Sequence, residues 1–229
     1  LATDAIARRP HREQDAWWVA TTTAVGAVAA TTFRIRVTGL GNVPAHGGAL
    51  LAYNHLSVLD AIFVGLPVSR TGRVVRFFVL SDDFERPFLG SVLKRFRSIP
   101  VRRGVGDWGA LERLSSVVGR GWLGGIAPEG TVGPGPDMLP VQKGAARIAL
   151  LAEAPVVPVG VWGTQERWPK SGLRIRRPIR PTVGVAFGPP IVATGNPRYR
   201  PDVQSLTERI GEGIREQVEV ARRLAPSGT

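Results

Sequence analysis

Apolar residues along this chain come in two rhythms. Short unbroken apolar runs alternate with longer stretches in which apolar positions recur every three or four residues. The first read as strands buried on both faces, the second as amphipathic helices. FRIRVTGLGNVP (33–44) predicts a strand of alternating charge closed by a turn, and ALLAYN (49–54) a short buried strand. A helix follows from Ser57 to about Leu66, then the strand RVVRFFVLS (73–81). ERPFLGSVLKRF (85–96) is a helix with proline near its start, and RSIPVRR (97–103) a short strand broken by proline. GDWGALERLSSVVGRG (106–121) is an amphipathic helix with a glycine end, and WLGGIAPEGT (122–131) a strand running into a loop. KGAARIALLAEA (143–154) is a helix, and PVVPVGVWG (155–163) and TVGVAFGPPI (182–191) are strands. Residues 201–224 form a charged C-terminal helix.

This alternation predicts an α/β fold: a single domain with a mixed, largely parallel sheet flanked by helices, plus an N-terminal membrane-associating helix. The boundary falls between a segment 1–36 and a domain 37–229. GPGPDMLP (133–140) is the most loop-like stretch, and WPKSGLRIRRPIRP (168–181) reads as an Arg-rich hairpin. The N-terminal element is WWVATTTAVGAVAATTF, residues 17–33. It is uncharged, but its 17 residues include five threonines, which is short and polar for a membrane span. Its tryptophan pair and flanking arginines (Arg8, Arg9, Arg12, Arg34, Arg36) fit a helix lying in a membrane interface. A packing helix of the domain is the alternative.

Charge sharpens this picture. The formal charge is +12, and 27 of the 30 basic residues are arginine. Such a balance points to anionic partners. No zinc-finger spacing, aromatic RNA-binding motif or lysine run accompanies it, so an anionic membrane surface is expected rather than nucleic acid. The chain has no cysteine, which excludes disulfides, thiolate catalysis and Cys-based zinc sites. GVGDWG (104–109) matches the glycine pattern of a dinucleotide loop, with Glu129 twenty residues beyond. Its preceding strand holds Pro100 and ends in Arg-Arg, a poor context, and no cofactor is expected.

The chemistry-bearing stretch is NHLSVLD (54–60). Residues five apart on a helix differ by about 500° and about 7.5 Å, so His55 and Asp60 do not share a helical face. They can meet if His55 lies in the turn before the helix, with Ser57 as N-cap and Asp60 at the third helical position. Asp60 would then reach back, accept an imidazole N–H and leave the other nitrogen as a base. A capping arrangement without catalysis fits the same residues. No G-x-S-x-G elbow supplies a nucleophile, so a base here would activate a substrate hydroxyl or a water.

Four blocks in order resemble the glycerolipid acyltransferase family, of the lysophosphatidic acid and glycerol-3-phosphate type, across about residues 38–190. They are NHLSVLD, FLGSVLKRFRSIPVRRG (88–104), APEGTVG (127–133) and APVVPVGVWG (154–163). The resemblance implies an acyl transfer in which His55 is the general base and Asp60 orients it. The acyl donor would be acyl-CoA or acyl-carrier protein, and the acceptor a lysophospholipid, most naturally 1-acylglycerol-3-phosphate; the alternatives are the same chemistry on glycerol-3-phosphate, another lysophospholipid or a glycolipid, or a catalytically inactive basic lipid-binding module. Neither a metal nor a covalent enzyme intermediate is implied, and the enzyme would work at the cytoplasmic face of the membrane. Backbone amides at the start of the following helix would hold the oxyanion. Asn54 belongs to the first block, and the resemblance places it among the substrate-binding residues. Arg103, or Arg102 beside it, occupies the place of a phosphate-binding arginine. Glu129, Gly130 and Thr131 match the acceptor-binding block, with Glu129 either bonding a glycerol hydroxyl or ordering the loop. The family's Arg-Ser after that triplet is here Val132-Gly133, and Lys143 or Arg102 would compensate for the missing cation.

Overall fold

β2 (Ala49–Tyr53) is buried at every position and lies at the centre of a seven-stranded sheet. The computed structural model describes residues 13–102, 108–135, 137–174 and 179–226. The other strands are β1 (Arg34–Thr38), β3 (Val75–Leu80), β4 (Ile99–Val101), β5 (Leu123–Ile126), β6 (Val156–Trp162) and β7 (Thr182–Phe187). They run in the order β1-β7-β6-β2-β5-β3-β4. Every pairing is parallel except β6 with β7. The sheet is therefore mixed and largely parallel, as the alternating pattern predicts.

The two-residue period of β2 divides the core. Leu50 and Ala52 point to a layer made by α5 (Trp108–Gly119), α6 (Gly144–Ala152) and α7 (Arg200–Leu224), through Leu114, Ile148, Leu206 and Ile210. Ala49, Leu51 and Tyr53 point to the other layer, where α1 (Ala16–Thr32) and α2 (Asp60–Ser69) contribute Ala29, Phe63, Val64 and Val68. Helices on both faces are what a buried parallel sheet requires. β2 pairs β6 in register, from Leu50 opposite Val156 to Tyr53 opposite Val159. That register sets the carboxyl ends of the two strands side by side, where ligands of open α/β sheets collect.

Several elements depart from the sequence pattern. The helix expected from Ser57 starts at Asp60 and runs to Ser69, with Pro67 in its last turn. Ser57 is not its N-cap; Leu59 holds that position, and the Ser57 hydroxyl accepts from the Leu59 amide. The expected third strand ends early, and Ser81–Phe84 turns into the short helix α3 before α4 (Pro87–Arg95). The described residues of the expected basic hairpin hold no strand, and residues 175–178 lie outside the description. GVGDWG also falls mostly outside it.

α1 forms where the apolar run predicts and is docked at both ends. Asp15 caps it by accepting from the Trp18 amide at 2.8 Å. Trp18 is buried edge-on against Phe96, with ring centroids 5.0 Å apart. At the far end Phe33 packs against Phe63 at 4.9 Å, and Arg180 donates to the Phe33 carbonyl. Among the described residues no helix is long and apolar enough to cross a membrane.

Arg73 closes the opposite end of the sheet. Its guanidinium donates to the carbonyls of Pro44, Gly47 and Gly121 and pairs with Glu13 at 2.7 Å. Only 6% of Arg73 is exposed. Arg73→Met strands three carbonyls and leaves the Glu13 carboxylate with the Val74 amide but no cation, so a loss of about 3 kcal/mol is expected, read as a lower urea midpoint. An unchanged midpoint contradicts this role.

Candidate active site

The chain leaves β2 at Asn54, and the next six residues build the site. The Asn54 side chain is buried and bonds β6 twice: Nδ2 donates to the Val161 carbonyl at 2.9 Å, and Oδ1 accepts from the Val161 amide at 2.7 Å. Its amide locks the ends of β2 and β6 together.

His55 is held by its backbone on both sides. Its amide donates to Glu129 Oε1 at 2.7 Å, and its carbonyl accepts from the Gly133 amide at 2.7 Å. Its side chain keeps 22% of its surface exposed. Nδ1 lies 3.1 Å from Asp60 Oδ2. An ionised carboxylate only accepts, so the neutral ring donates from Nδ1 and Nε2 carries the lone pair. Nε2 has no hydrogen bond among the described residues.

Asp60 has no exposed surface. Oδ2 also accepts from the amides of Leu56 at 2.7 Å and Ser57 at 2.8 Å, and Oδ1 accepts from the Thr164 hydroxyl at 2.6 Å. Oδ2 thus has three donors and Oδ1 one. One side chain thus accepts both from the imidazole and from two backbone amides of the turn that precedes α2. The Leu56, Ser57 and Leu59 amides are all committed within this turn. The Val58 amide has no hydrogen bond among the described residues, and Val58 is 51% exposed.

Tyr53 forms a wall of the site. Its ring meets the His55 ring edge-on at 6.1 Å and that of Phe77 at 5.9 Å. Burial, aided by the Asp60 charge, raises the phenol well above its ordinary range and keeps it neutral.

Glu129 faces backbone rather than solvent. Besides His55 it accepts from the Leu139 amide at 2.7 Å, and 3% of it is exposed. Of the two roles the sequence offers it, this geometry is the loop-ordering one. Burial pushes its carboxyl above the ordinary 4.5, against the two amides and His55, which lower it. Gly130 has φ +74°, and a Cβ there would lie 2.6 Å from Gln142 Nε2. The neighbour that needs the space is Gln142, which donates to the Glu129 carbonyl at 3.1 Å. Thr131 is half-buried and makes no hydrogen bond among the described residues. Lys143 precedes α6, half-buried and without an ion pair there; Arg102 is exposed at the end of β4. Neither bonds to the His55–Asp60 pair. Arg103 lies outside the described residues. The sequence analysis missed Thr164, Tyr53, Gln142 and the Gly133 amide. Thr164 had one available signal: it follows a buried strand at the carboxyl edge of the sheet, beside the end of β2.

A family model described as Acyltransferase matches residues 34–162, from the first residue of β1 to the last of β6. The chain belongs to the acyltransferase family. The match includes His55, Asp60 and the loop at 129–133, and the glycerolipid acyltransferase resemblance of the four blocks is borne out. Over 141 residues the chain is 26% identical to a 1-acyl-sn-glycerol-3-phosphate acyltransferase of Bacillus subtilis, covering 62% of this chain and 66% of that protein. It is 27% identical over 161 residues to the enzyme of that name from Borreliella burgdorferi, covering 66% and 62%. An uncharacterized protein of Mycobacterium leprae is 25% identical over 223 residues, covering 82% of this chain and 59% of its own length. The chain thus spans less than two thirds of these relatives. In fold it is similar to the 1-acyl-sn-glycerophosphate (LPA) acyltransferase PlsC from Thermotoga maritima, with TM-score 0.73, 20% identity, and 97% and 86% of the two chains covered.

The Glu129 shift has a stability consequence with a definite sign. A carboxyl raised in the folded state lends stability that is complete below its unfolded pKa and is lost as pH rises through the folded one. This acyltransferase should therefore lose stability relative to its Glu129→Gln variant as pH rises through and above the ordinary glutamate range. Urea midpoints across that range check it, and a constant gap contradicts it.

Proposed function

We propose that this acyltransferase moves a fatty acyl chain from acyl-CoA or acyl-carrier protein to the free hydroxyl of a lysophospholipid, with 1-acylglycerol-3-phosphate giving phosphatidic acid as the leading case. The observation that carries the reading is the His55 Nδ1 to Asp60 Oδ2 contact, which leaves Nε2 as the base. Nε2 takes the acceptor hydroxyl proton as its oxygen bonds to the thioester carbonyl carbon. The carbon–sulfur bond then breaks, and the imidazolium returns the proton to the leaving thiolate. Asp60 holds the imidazolium during the step. The uncommitted Val58 amide is the donor offered to the oxyanion. The names of the bacterial relatives support the acceptor class. The Val132-Gly133 pair, where the family has Arg-Ser, favours a second reading in which the acceptor is glycerol-3-phosphate, another lysophospholipid or a glycolipid.

The membrane reading rests on two surface features. α1 presents an uncharged face with Val19, Thr23 and Val28 outward. Beside it a groove of about 400 Å³ between α1, β1 and α2 has Phe33 and Phe63 in its lining and Arg34, Arg36, Arg70 and Arg180 around them, with no carboxylate among its lining residues. That combination suits the anionic, half-apolar surface of the cytoplasmic leaflet.

Free-thiol release from palmitoyl-CoA or oleoyl-CoA, offered in turn with lysophosphatidic acid, glycerol-3-phosphate and lysophosphatidylinositol, tests the chemistry. Release with one acceptor, reduced at least about 100-fold by His55→Ala, is the expected result. Equal rates for wild type and His55→Ala contradict the base assignment. On vesicles containing phosphatidylglycerol, the triple variant Arg34→Glu, Arg36→Glu, Arg70→Glu should float less than the wild type, and undiminished flotation contradicts the docking surface.

A further inference from the structure

Asp60 shares its hydrogen bonds unequally. Oδ2 takes the His55 ring and two backbone amides, whereas Oδ1 takes one donor, the Thr164 hydroxyl at 2.6 Å. Both residues have 0% exposure, so the contact is closed off from bulk solvent. A buried carboxylate oxygen stripped of its partner bears the full desolvation cost of the charge.

Thr164 is also held more firmly than a surface threonine. It follows β6, whose end is fixed to β2 by the Asn54–Val161 pair of bonds. The chain then turns at Gly163, with φ +97°, where a Cβ would meet the Thr182 carbonyl oxygen at 2.1 Å. Thr164 opens a single 3-10 turn, and its own carbonyl accepts from the Arg167 and Trp168 amides, both at 3.1 Å. Its branched Cβ restricts rotation of the hydroxyl. The donor to Oδ1 therefore comes from a fixed point 104 residues away in sequence. It lies two residues beyond the stretch that matches the family.

We propose that Thr164 is a positioning residue for acyl transfer: its hydroxyl fixes the plane of the Asp60 carboxylate so that Oδ2 meets His55 Nδ1. It touches neither donor nor acceptor and acts through Asp60. This inference rests on the reading of His55 and Asp60 as the general-base pair. A residue that merely filled space at the end of β6 would be replaced without loss by valine, which has the same shape and no hydroxyl.

The test compares Thr164→Val, Thr164→Ala and Thr164→Ser in the thiol-release assay, with thermal melting of each and with His55→Ala alongside. Thr164→Val is expected to lower kcat about 10- to 100-fold, with KM for donor and acceptor within about twofold of wild type. Thr164→Ser, which keeps the hydroxyl, should recover kcat to within about threefold. Thr164→Ala should match Thr164→Val in kcat and decides the case if the valine variant does not fold. In an Asp60→Asn background, adding Thr164→Val should cost less than about twofold, because the partner it serves is already altered. Wild-type kcat in a folded variant without the hydroxyl overturns the proposal, as does a full additional loss in the Asp60→Asn background. Activity surviving in His55→Ala would instead overturn the general-base reading.

Discussion

Asp60 is a carboxylate with no exposed surface, and the arrangement of the site follows from the need to satisfy it. A charge in that position is costly unless donors surround it. Three donors come from the turn after β2, the His55 ring and the Leu56 and Ser57 amides, and the fourth from beyond the end of β6. The carboxylate is therefore satisfied only while β2 and β6 keep their register. A one-residue slip of β2 would exchange the two faces of its side chains and move the turn with it. Asn54 guards against that slip by bonding both polar groups of Val161. Fold and dyad are thus coupled: the buried strands place the carboxylate, and the carboxylate directs one nitrogen of the imidazole.

A second buried carboxylate, Glu129, completes the restraint. It joins the His55 amide to the Leu139 amide, while the Gly133 amide holds the His55 carbonyl. The loop carrying Pro-Glu-Gly-Thr is consequently part of the frame of the histidine. Its glutamate and glycine serve contacts within the protein, to amides and to Gln142, and Thr131 is left without such a contact among the described residues. On the proposed mechanism, an acceptor approaching His55 would meet a preorganised base rather than one assembled on binding.

Much of this was legible in the sequence, for identifiable reasons. The central strands are unbroken apolar runs because they are covered on both sides, and such runs are the clearest strand signal in an α/β chain. His55 and Asp60 were legible because the first cannot pair with the second along a regular helix, which forces a turn between them. The start of α2 was misplaced because Ser57 carries a strong capping signal, yet its amide is drawn to Asp60 and its hydroxyl to Leu59. Thr164 was hidden because its partner is more than a hundred residues away and a threonine after Gly163 reads as an ordinary turn. Glu129 was visible as a residue but not in its partners, since backbone amides leave no trace in side-chain patterns. The fate of the tryptophan pair was split by packing: Trp18 turned inward against Phe96, whereas Trp17 is 39% exposed under the Arg95 guanidinium.

The central claim is that Asp60 fixes the imidazole with its proton on Nδ1 and its lone pair on Nε2. Nitrogen-15 NMR of the histidine rings in their neutral form reads this directly. With three histidines in the chain, comparison with His55→Ala assigns the signals. The account predicts that His55 is a single tautomer with a protonated Nδ1 and a bare Nε2. A proton on Nε2, or a rapidly averaged mixture of the two forms, would contradict it.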